Sequence, residues 1–234
     1  MADIYLIPTT LGDIAIEKVL PFNNSSIIKK IRYFVVENIR TSRRFIKKID
    51  HEINIDDLSF NELNEHTDKR TLEGFLQPIY EGFDIGIISE AGCPGVADPG
   101  ADIVRLAHEK NIKVIPLVGP SSILLSLMAS GMNGQNFAFL GYLPVKPADR
   151  IKTLKEIEKR SAVEKQTQIF IETPYRNAKL FDDLMATMHP LTRLCIAADL
   201  TLETEYIRTQ TISNWKKQKP DLNKRPAIFL IYKD

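Results

Sequence analysis

The feature that most constrains the fold of this chain is an abrupt change from an apolar run to a loop of small residues. Residues 85–88 are apolar, and the loop at residues 89–100 carries two carboxylates, Glu90 and Asp98. Five of the 11 glycines lie between Gly82 and Gly100, where they let the backbone approach a ligand closely. Apolar residues at helical spacing follow. This order predicts a strand, an open loop and a helix, and ligands bind such loops at the carboxyl ends of strands. An ordinary turn without a ligand is the alternative.

The first half of the chain alternates apolar strands with helical patterns. Candidate strands are residues 4–7, 33–36, 85–89 and 114–117, and candidate helices are residues 43–49, 70–81 and 101–110. Because strands that alternate with helices form βαβ units, this half predicts a parallel sheet.

The second half has fewer helices between its strands. Candidate strands are residues 137–141, 169–171, 194–198, 206–211 and 228–232, and candidate helices are residues 150–165 and 177–188. An almost wholly apolar helix at residues 123–130 is predicted to be buried. We therefore predict an α/β protein of two domains, residues 1–117 with a parallel sheet and residues 118–234 with a mixed sheet.

Composition excludes several classes of protein. No apolar run in the 234 residues approaches the roughly 20 residues that span a bilayer. Cys93 and Cys195 lie far apart, so neither a disulfide framework nor a zinc site is indicated, and a reducing, cytoplasmic setting is the default. The four histidines lack metal-ligand spacing, so we expect no metal.

The charge is balanced overall, at a net +1, but cations cluster on one predicted helix. Helical spacing brings five of them onto one stripe, which we call the basic stripe: Arg40, Arg43, Arg44, Lys47 and Lys48. The stripe can follow the phosphates of a nucleic acid, or it can be a solvated helix face.

Five short motifs follow one another in a fixed order along the chain. They are Ser89-Glu90-Ala91-Gly92-Cys93-Pro94, Asp98-Pro99-Gly100, Val118-Gly119-Pro120-Ser121-Ser122, Gly141-Tyr142-Leu143-Pro144-Val145-Lys146 and Ile171-Glu172-Thr173-Pro174-Tyr175-Arg176. This order resembles the tetrapyrrole-methylase superfamily of S-adenosylmethionine (SAM)-dependent methyltransferases. Within it, the chain looks most like the branch that methylates the ribose 2′-oxygen of a cytidine in 16S ribosomal RNA.

The resemblance implies two α/β domains with SAM in the cleft between them, and a homodimer. It assigns the cofactor to residues on both sides of that cleft, which are Ile7, Pro8, Glu90, Ala91, Gly92, Cys93, Ser121, Ser122, Ile171, Ala197 and Ala227. Glu90 matches the family carboxylate of the central loop, and we expect it to anchor the cofactor.

The chain departs from the branch in the loops expected to meet the substrate. The first loop is Pro8-Thr9-Thr10-Leu11-Gly12-Asp13 where the branch has P-I-G-N-L. Asn38 replaces an acid of the branch motif A-E-D-T-R, Glu90 stands where Asp is usual, and Leu202 replaces a usual lysine. These changes affect the substrate side more than the cofactor side.

Methyl transfer from SAM requires positioning of two reactants, and an alcohol acceptor also needs a nearby base. Glu37, Glu90 and Asp98 are the candidate bases, although Asp98 can instead cap the helix that follows it. Glu37 and Arg40 come directly after the second strand and form the best catalytic, substrate-side pair, with Arg40 holding a phosphate. The alternative is a surface Arg–Glu pair. Arg176 is a further candidate for neutralising an anionic substrate.

Three functions remain compatible with the sequence. The first is a SAM-dependent methyltransferase acting on ribosomal RNA, with the small ribosomal subunit as a possible partner. The second is a methyltransferase of the same fold acting on a tetrapyrrole, another small molecule or a protein. The third is a SAM- or RNA-binding module without catalysis, which the altered positions Asn38 and Leu202 allow.

Overall fold

A computed structural model describes residues 2–64 and 66–234, apart from the side chain of residue 69. The chain divides into two compact units, Met1–Ser121 (unit 1) and Ser122–Asp234 (unit 2). Among the described residues, no helix is both long and apolar enough to cross a bilayer.

Unit 1 contains a five-stranded, wholly parallel sheet. Its strands are β1 (Ile4–Ile7), β2 (Tyr33–Val36), β3 (Ser59–Glu62), β4 (Ile85–Ile88) and β5 (Val114–Pro116), in the spatial order β3-β2-β4-β1-β5. The helices are α1 (Phe22–Ile28), α2 (Ile39–Ile49), α3 (Gln77–Tyr80) and α4 (Gly100–Glu109). The parallel arrangement agrees with the prediction from sequence.

The order of the strands creates a crevice at one point of this sheet. From β1 the chain continues towards β2 on one side, whereas from β4 it continues towards β5 on the other. The two neighbouring strands end level, since Ile7 pairs with Ile88. Because parallel crossovers are right-handed, connections that run in opposite directions leave the sheet on opposite faces, and ligands of α/β sheets bind at such a point.

Tight packing behind the crevice explains a glycine inside β4. A side chain at Gly86 would come within 2.6 Å of the Ile7 side chain and 2.9 Å of the Phe34 ring. Its absence lets both apolar side chains pack across the central strand. Helix α2 covers the same face, with Phe45 and Ile46 buried and its cations exposed.

Unit 1 differs from the predictions at four places. Neither α1 nor β3 was predicted, and α2 begins four residues earlier than expected. The predicted helix at residues 70–81 is a 3₁₀ segment, Lys69–Leu76, followed by the four-residue α3. Gly74 disfavours a helix interior and Pro78 lacks an N–H for the helix ladder, so a continuous helix does not form there.

Unit 2 contains a mixed sheet, as predicted. Its strands are β6 (Phe137–Tyr142), β7 (Thr167–Ile171), β8 (Arg193–Ala198), β9 (Tyr206–Thr211) and β10 (Ala227–Tyr232), in the order β6-β7-β10-β8-β9. Only β6 and β7 pair in parallel. The helices are α5 (Ser122–Ser130), α6 (Pro147–Glu164), α7 (Asn177–Thr187) and α8 (Ile212–Trp215).

Helix α5 was predicted to be buried, and this prediction is wrong for one of its faces. Ser126, Leu127 and Ser130 are buried, but Met128 is 79% exposed and Leu124 is 51% exposed. The helix packs against the sheet of unit 2 through one side only. An almost wholly apolar sequence therefore does not mean that every face of this helix is buried.

A buried ion pair joins α6 to α7. The Arg150 guanidinium donates through Nε to Asp183 Oδ2 at 2.8 Å, and through Nη1 to the Val145 carbonyl at 2.8 Å. Both charged side chains are less than 10% exposed. Burial alone would raise the pKa of Asp183, but hydrogen bonds from Arg150 and Lys179 outweigh it and lower that pKa. The pair also holds the loop that precedes α6.

Candidate functional site

Two loops of unit 1 are tied together at the crevice between β1 and β4. The Thr9 N–H donates to the Gly92 carbonyl at 2.9 Å, and the Ser89 hydroxyl donates to the same carbonyl at 3.3 Å. Gly92 has φ +75°, a conformation that other residues adopt rarely. The glycine predicted from the motif is therefore needed to bring the central loop against the first loop.

A third loop, after β5, approaches the same place. A side chain at Gly119 would lie 2.3 Å from the Pro8 ring, so only glycine permits this approach. The Cys93 thiol lies 3.4 Å from the Pro120 carbonyl, and burial raises the pKa of this thiol. Cys93 is thus held as a neutral thiol, in agreement with its predicted role as a small residue of the loop.

The predicted cofactor residues of unit 1 therefore fall into two groups. Pro8, Gly92 and Cys93 come together around Pro120, directly before Ser121 at the end of unit 1. The Ile7 side chain is fully buried in the core below them, which leaves its backbone as the part near the crevice. Ala91 is exposed in the central loop, and Ser122 opens α5 in unit 2.

Glu90 is held by two residues from the segment that follows β2. Glu37 Oε2 accepts a hydrogen bond from the Glu90 backbone N–H at 2.6 Å. The Thr41 hydroxyl, one turn into α2, donates to the Glu90 carboxylate. Burial raises the pKa of Glu37, and the neighbouring Asp98 and Glu90 charges raise it further. The hydrogen bond from the Glu90 backbone lowers this pKa but does not cancel the increase. The Glu90 side chain thus has a defined position at the crevice.

Asp98 has a structural role before α4, although the N-cap is Pro99 and not Asp98, which the sequence allowed as the cap. Its Oδ1 accepts from the backbone N–H groups of Gly95 and Gly100, at 2.8 and 2.7 Å, at the start of α4. Burial raises its pKa, and its Oδ2 is buried without a hydrogen-bond partner among the described residues. These contacts shape the loop around α4.

A cavity of about 430 Å³ opens beside Glu90, between the first loop and α2. Hydroxyl groups, two cations and two carboxylates provide its polar lining: Thr9, Thr10, Asp13, Thr41, Ser42, Arg44, Lys48, Ser89 and Glu90. Of the predicted site residues, only Glu90 lines it. The sequence missed Thr9, Thr10, Thr41, Arg44 and Lys48 as lining residues, although Arg44 and Lys48 belong to the basic stripe.

Glu37 and Arg40 do not form a pair. Arg40 lies on the other side of α2, in a shallow groove of about 570 Å³ shared with Asn38, Arg43, Arg44 and Glu62. Glu37 lies behind Glu90 and does not line the cavity beside it. The surface Arg–Glu pair that was the alternative is absent from the described residues.

Asn38 explains one of the departures from the branch motif. Its side-chain oxygen accepts from the N–H groups of Arg40 and Thr41, at 2.9 and 3.2 Å, as the N-cap of α2. Asn and Asp cap helices about equally well, so the change from acid to amide preserves the start of the helix.

The three predicted residues of unit 2 lie at the same end of its three central strands but not on one face. Ile171 and Ala197 both pair with Ile228 on the intervening strand, so they share a face. Ala227, one position earlier, belongs to the core cluster on the opposite face. Arg176 is engaged locally, because its guanidinium donates to the buried Glu172 carboxylate at 2.6 and 2.9 Å.

The described residues contain no group of three His, Cys, Asp or Glu side chains placed to hold a metal ion.

Comparisons with known proteins point to one activity. No protein-family model matches the chain. It is 28% identical to the ribosomal RNA small subunit methyltransferase I of Buchnera aphidicola subsp. Schizaphis graminum over 231 residues. This alignment covers 97% of this chain and 77% of that protein. The Vibrio cholerae protein of the same name is 26% identical over 234 residues, which is 98% of this chain and 76% of that protein.

Among solved structures, the methyltransferase CobJ is similar to this chain, with a TM-score of 0.65 and 14% identity over 99% of this chain and 94% of that one. This similarity confirms the predicted two-domain tetrapyrrole-methylase-like fold.

Proposed function

We propose that this protein, a methyltransferase, transfers a methyl group from SAM to a ribose 2′-oxygen in the RNA of the small ribosomal subunit. The observation that carries the proposal is the polar cavity at the β1–β4 crevice, with Glu90 and two cations in its wall. The relatives act on small-subunit ribosomal RNA by their names, which supports the class of substrate.

The residues around Gly92 fit the cofactor. The central loop and Pro120 present backbone groups and small side chains, and Cys93 is uncharged. SAM supplies a methyl group already activated on its sulfonium. The protein therefore has to orient the acceptor and exclude water, and this requires neither a metal nor a covalent nucleophile.

The cavity beside Glu90 suits the acceptor nucleotide better than the cofactor. Lys48 pairs with Asp13 in the lining, but Arg44 forms no ion pair with a described residue, so its guanidinium favours an anionic group over SAM, whose net charge at neutral pH is positive. The Arg44 guanidinium can bind a phosphate through two parallel hydrogen bonds. The hydroxyl groups of Thr9, Thr10 and Ser89 provide further partners for a ribose or base.

In this arrangement Glu90 is the base that takes the proton of the 2′-hydroxyl. Its carboxylate lines the cavity, whereas that of Glu37 does not. Glu37 and Thr41 act as positioning residues, because they hold the Glu90 backbone and carboxylate respectively. This assignment moves the catalytic role from Glu37 and Arg40, where the sequence suggested it, to the residue that the sequence assigned to the cofactor.

Methyl incorporation from labelled SAM tests the proposed function. The purified protein should label 30S subunits from cells that lack its gene, and alkaline hydrolysis should release the label in a resistant dinucleotide, since a 2′-O-methyl group blocks cleavage. Label in a base would reject the ribose acceptor. SAM binding without labelled RNA would reject the RNA substrate, and the absence of SAM binding would reject the activity.

Two replacements of Glu37 should separate its hydrogen bond from its charge. Glu37→Gln keeps an oxygen that accepts from the Glu90 N–H, so we expect kcat to stay within about threefold of wild type. Glu37→Leu removes the acceptor, and losing a hydrogen bond of about 1–1.5 kcal/mol should lower kcat about 5- to 10-fold. Single-turnover methylation measures both. A large loss in the glutamine variant would instead make Glu37 itself the base.

The homodimer and the cytoplasmic location stay predictions. Sedimentation of the purified protein would test the homodimer, and fractionation of cells would test the location.

A further inference from the structure

The exposed cations of α2 differ in how far their charges are already engaged. Lys47 donates to the His51 carbonyl at 2.9 Å, just beyond the end of its own helix, and Lys48 pairs with Asp13. The Arg43 guanidinium lies 5.3 Å from the centre of the Phe60 ring. Arg40, Arg43 and Arg44 form no ion pair with any described residue. The three arginines thus keep their hydrogen-bond donors available.

These three arginines surround the shallow groove on the side of α2 away from Glu90. Among the described residues that line the groove, Glu62 is the single carboxylate, and its Oε1 accepts from the Asn64 amide at 2.9 Å. Cations therefore outnumber carboxylates three to one among these described lining residues. The Phe60 ring restricts Arg43, which reduces the entropy lost when its guanidinium binds an anion.

Arg44 lines both the groove and the cavity beside Glu90. Helix α2 is therefore a ridge between two recesses, and Arg44 stands on it. A ligand with one phosphate would fill one recess only. A strand with a phosphate at each nucleotide can occupy both.

We propose that the groove binds the phosphodiester backbone of the nucleotides next to the acceptor, so that a single RNA strand crosses α2 at Arg44. This inference rests on the proposed function, because it places the acceptor nucleotide in the cavity beside Glu90. Arg40 and Arg43 bind phosphates of the flanking segment, and these contacts position the RNA without reading its sequence.

The test compares two charge reversals on the same helix. Arg43→Glu changes the groove, whereas Lys47→Glu makes the same change in charge outside both recesses. Fluorescence anisotropy with a labelled single-stranded RNA of about 12 nucleotides, a usual site size for single strands, gives the affinity. We expect Arg43→Glu to weaken binding about 10- to 100-fold and Lys47→Glu to weaken it less than about threefold. A plot of the logarithm of the binding constant against the logarithm of the salt concentration should become less steep by about 0.7 for each lost phosphate contact.

Further measurements keep the inference separate from the proposed function. SAM affinity by calorimetry should be unchanged in both variants, which shows that they fold, and Arg40→Gln provides a second groove variant. With 30S subunits, Arg43→Glu should raise KM and leave kcat unchanged. Equal losses in the two charge reversals, or none in either, would overturn the inference, whereas a wild-type protein that does not methylate RNA would overturn the proposed function.

Discussion

Replacing Glu90 by glutamine is expected to lower kcat for methylation of the small ribosomal subunit about 10²- to 10⁴-fold, the usual contribution of a general base. The amide is nearly isosteric, and its oxygen can still accept from the Thr41 hydroxyl, so the loop should keep its conformation. Single-turnover assays measure the chemical step. The affinity for SAM should stay within about twofold, because in the proposed arrangement the Glu90 carboxylate contacts the acceptor nucleotide and not the cofactor.

Matched variants make this result specific. Glu90→Asp, which restores the residue usual in the branch, should recover part of the activity because a carboxylate remains. Glu17→Gln, an exposed glutamate of the same unit, should behave as wild type. If Glu90→Gln weakened SAM binding in proportion to the lost activity, Glu90 would be the cofactor anchor that the sequence suggested.

Replacing Asp183 by alanine is expected to lower the free energy of unfolding of unit 2 by about 3–5 kcal/mol. The change leaves the buried Arg150 guanidinium without its carboxylate, with only the loop carbonyls of Pro144 and Val145 as partners. Unfolding in urea, followed by tryptophan fluorescence, measures the loss. Trp215 is the single tryptophan, is 1% exposed and packs edge-on against Phe181 of α7, so its signal reports on this unit.

The neighbouring residue offers an exposed aspartate as a control. Asp182 pairs with Lys219 on the surface, where both side chains are about half exposed. Exposed ion pairs contribute about 0–1 kcal/mol, so Asp182→Ala should have little effect. Similar losses in the two variants would mean that burial of the Arg150–Asp183 pair does not determine its contribution.

The sequence predicted the buried strands well and the exposed elements less well. Strands β1, β2 and β4 are continuous apolar runs because helices cover both faces of a parallel sheet. Strand β3 reads Ser-Phe-Asn-Glu and lies at the edge of the sheet, so its pairing depends on backbone hydrogen bonds that leave no apolar pattern. The first turn of α2 was missed because the cap at Asn38, and not apolar spacing, determines where it begins.

For the candidate site, the sequence predicted the loops but not the contacts between them. Gly92 could be singled out because close backbone approach demands glycine, and the order of motifs supplied the resemblance, whereas Gly119 was named only as part of a motif. The bond from Thr41 to Glu90 joins residues 49 positions apart, which no spacing rule detects. Likewise, the opposite faces of Ala197 and Ala227 depend on the register of β8 against β10.

The crevice at the unit 1 sheet arises from the order of the strands and not from the side chains of the loops above it. The positions that depart from the branch, such as Thr9 and Asn38, lie in those loops, while the sheet below them is held by apolar packing. Substrate preference and folding stability are therefore encoded in largely separate sets of residues. A library restricted to the loop positions around the cavity should consequently yield folded proteins with altered acceptors, and would make this chain a practical scaffold for directed evolution.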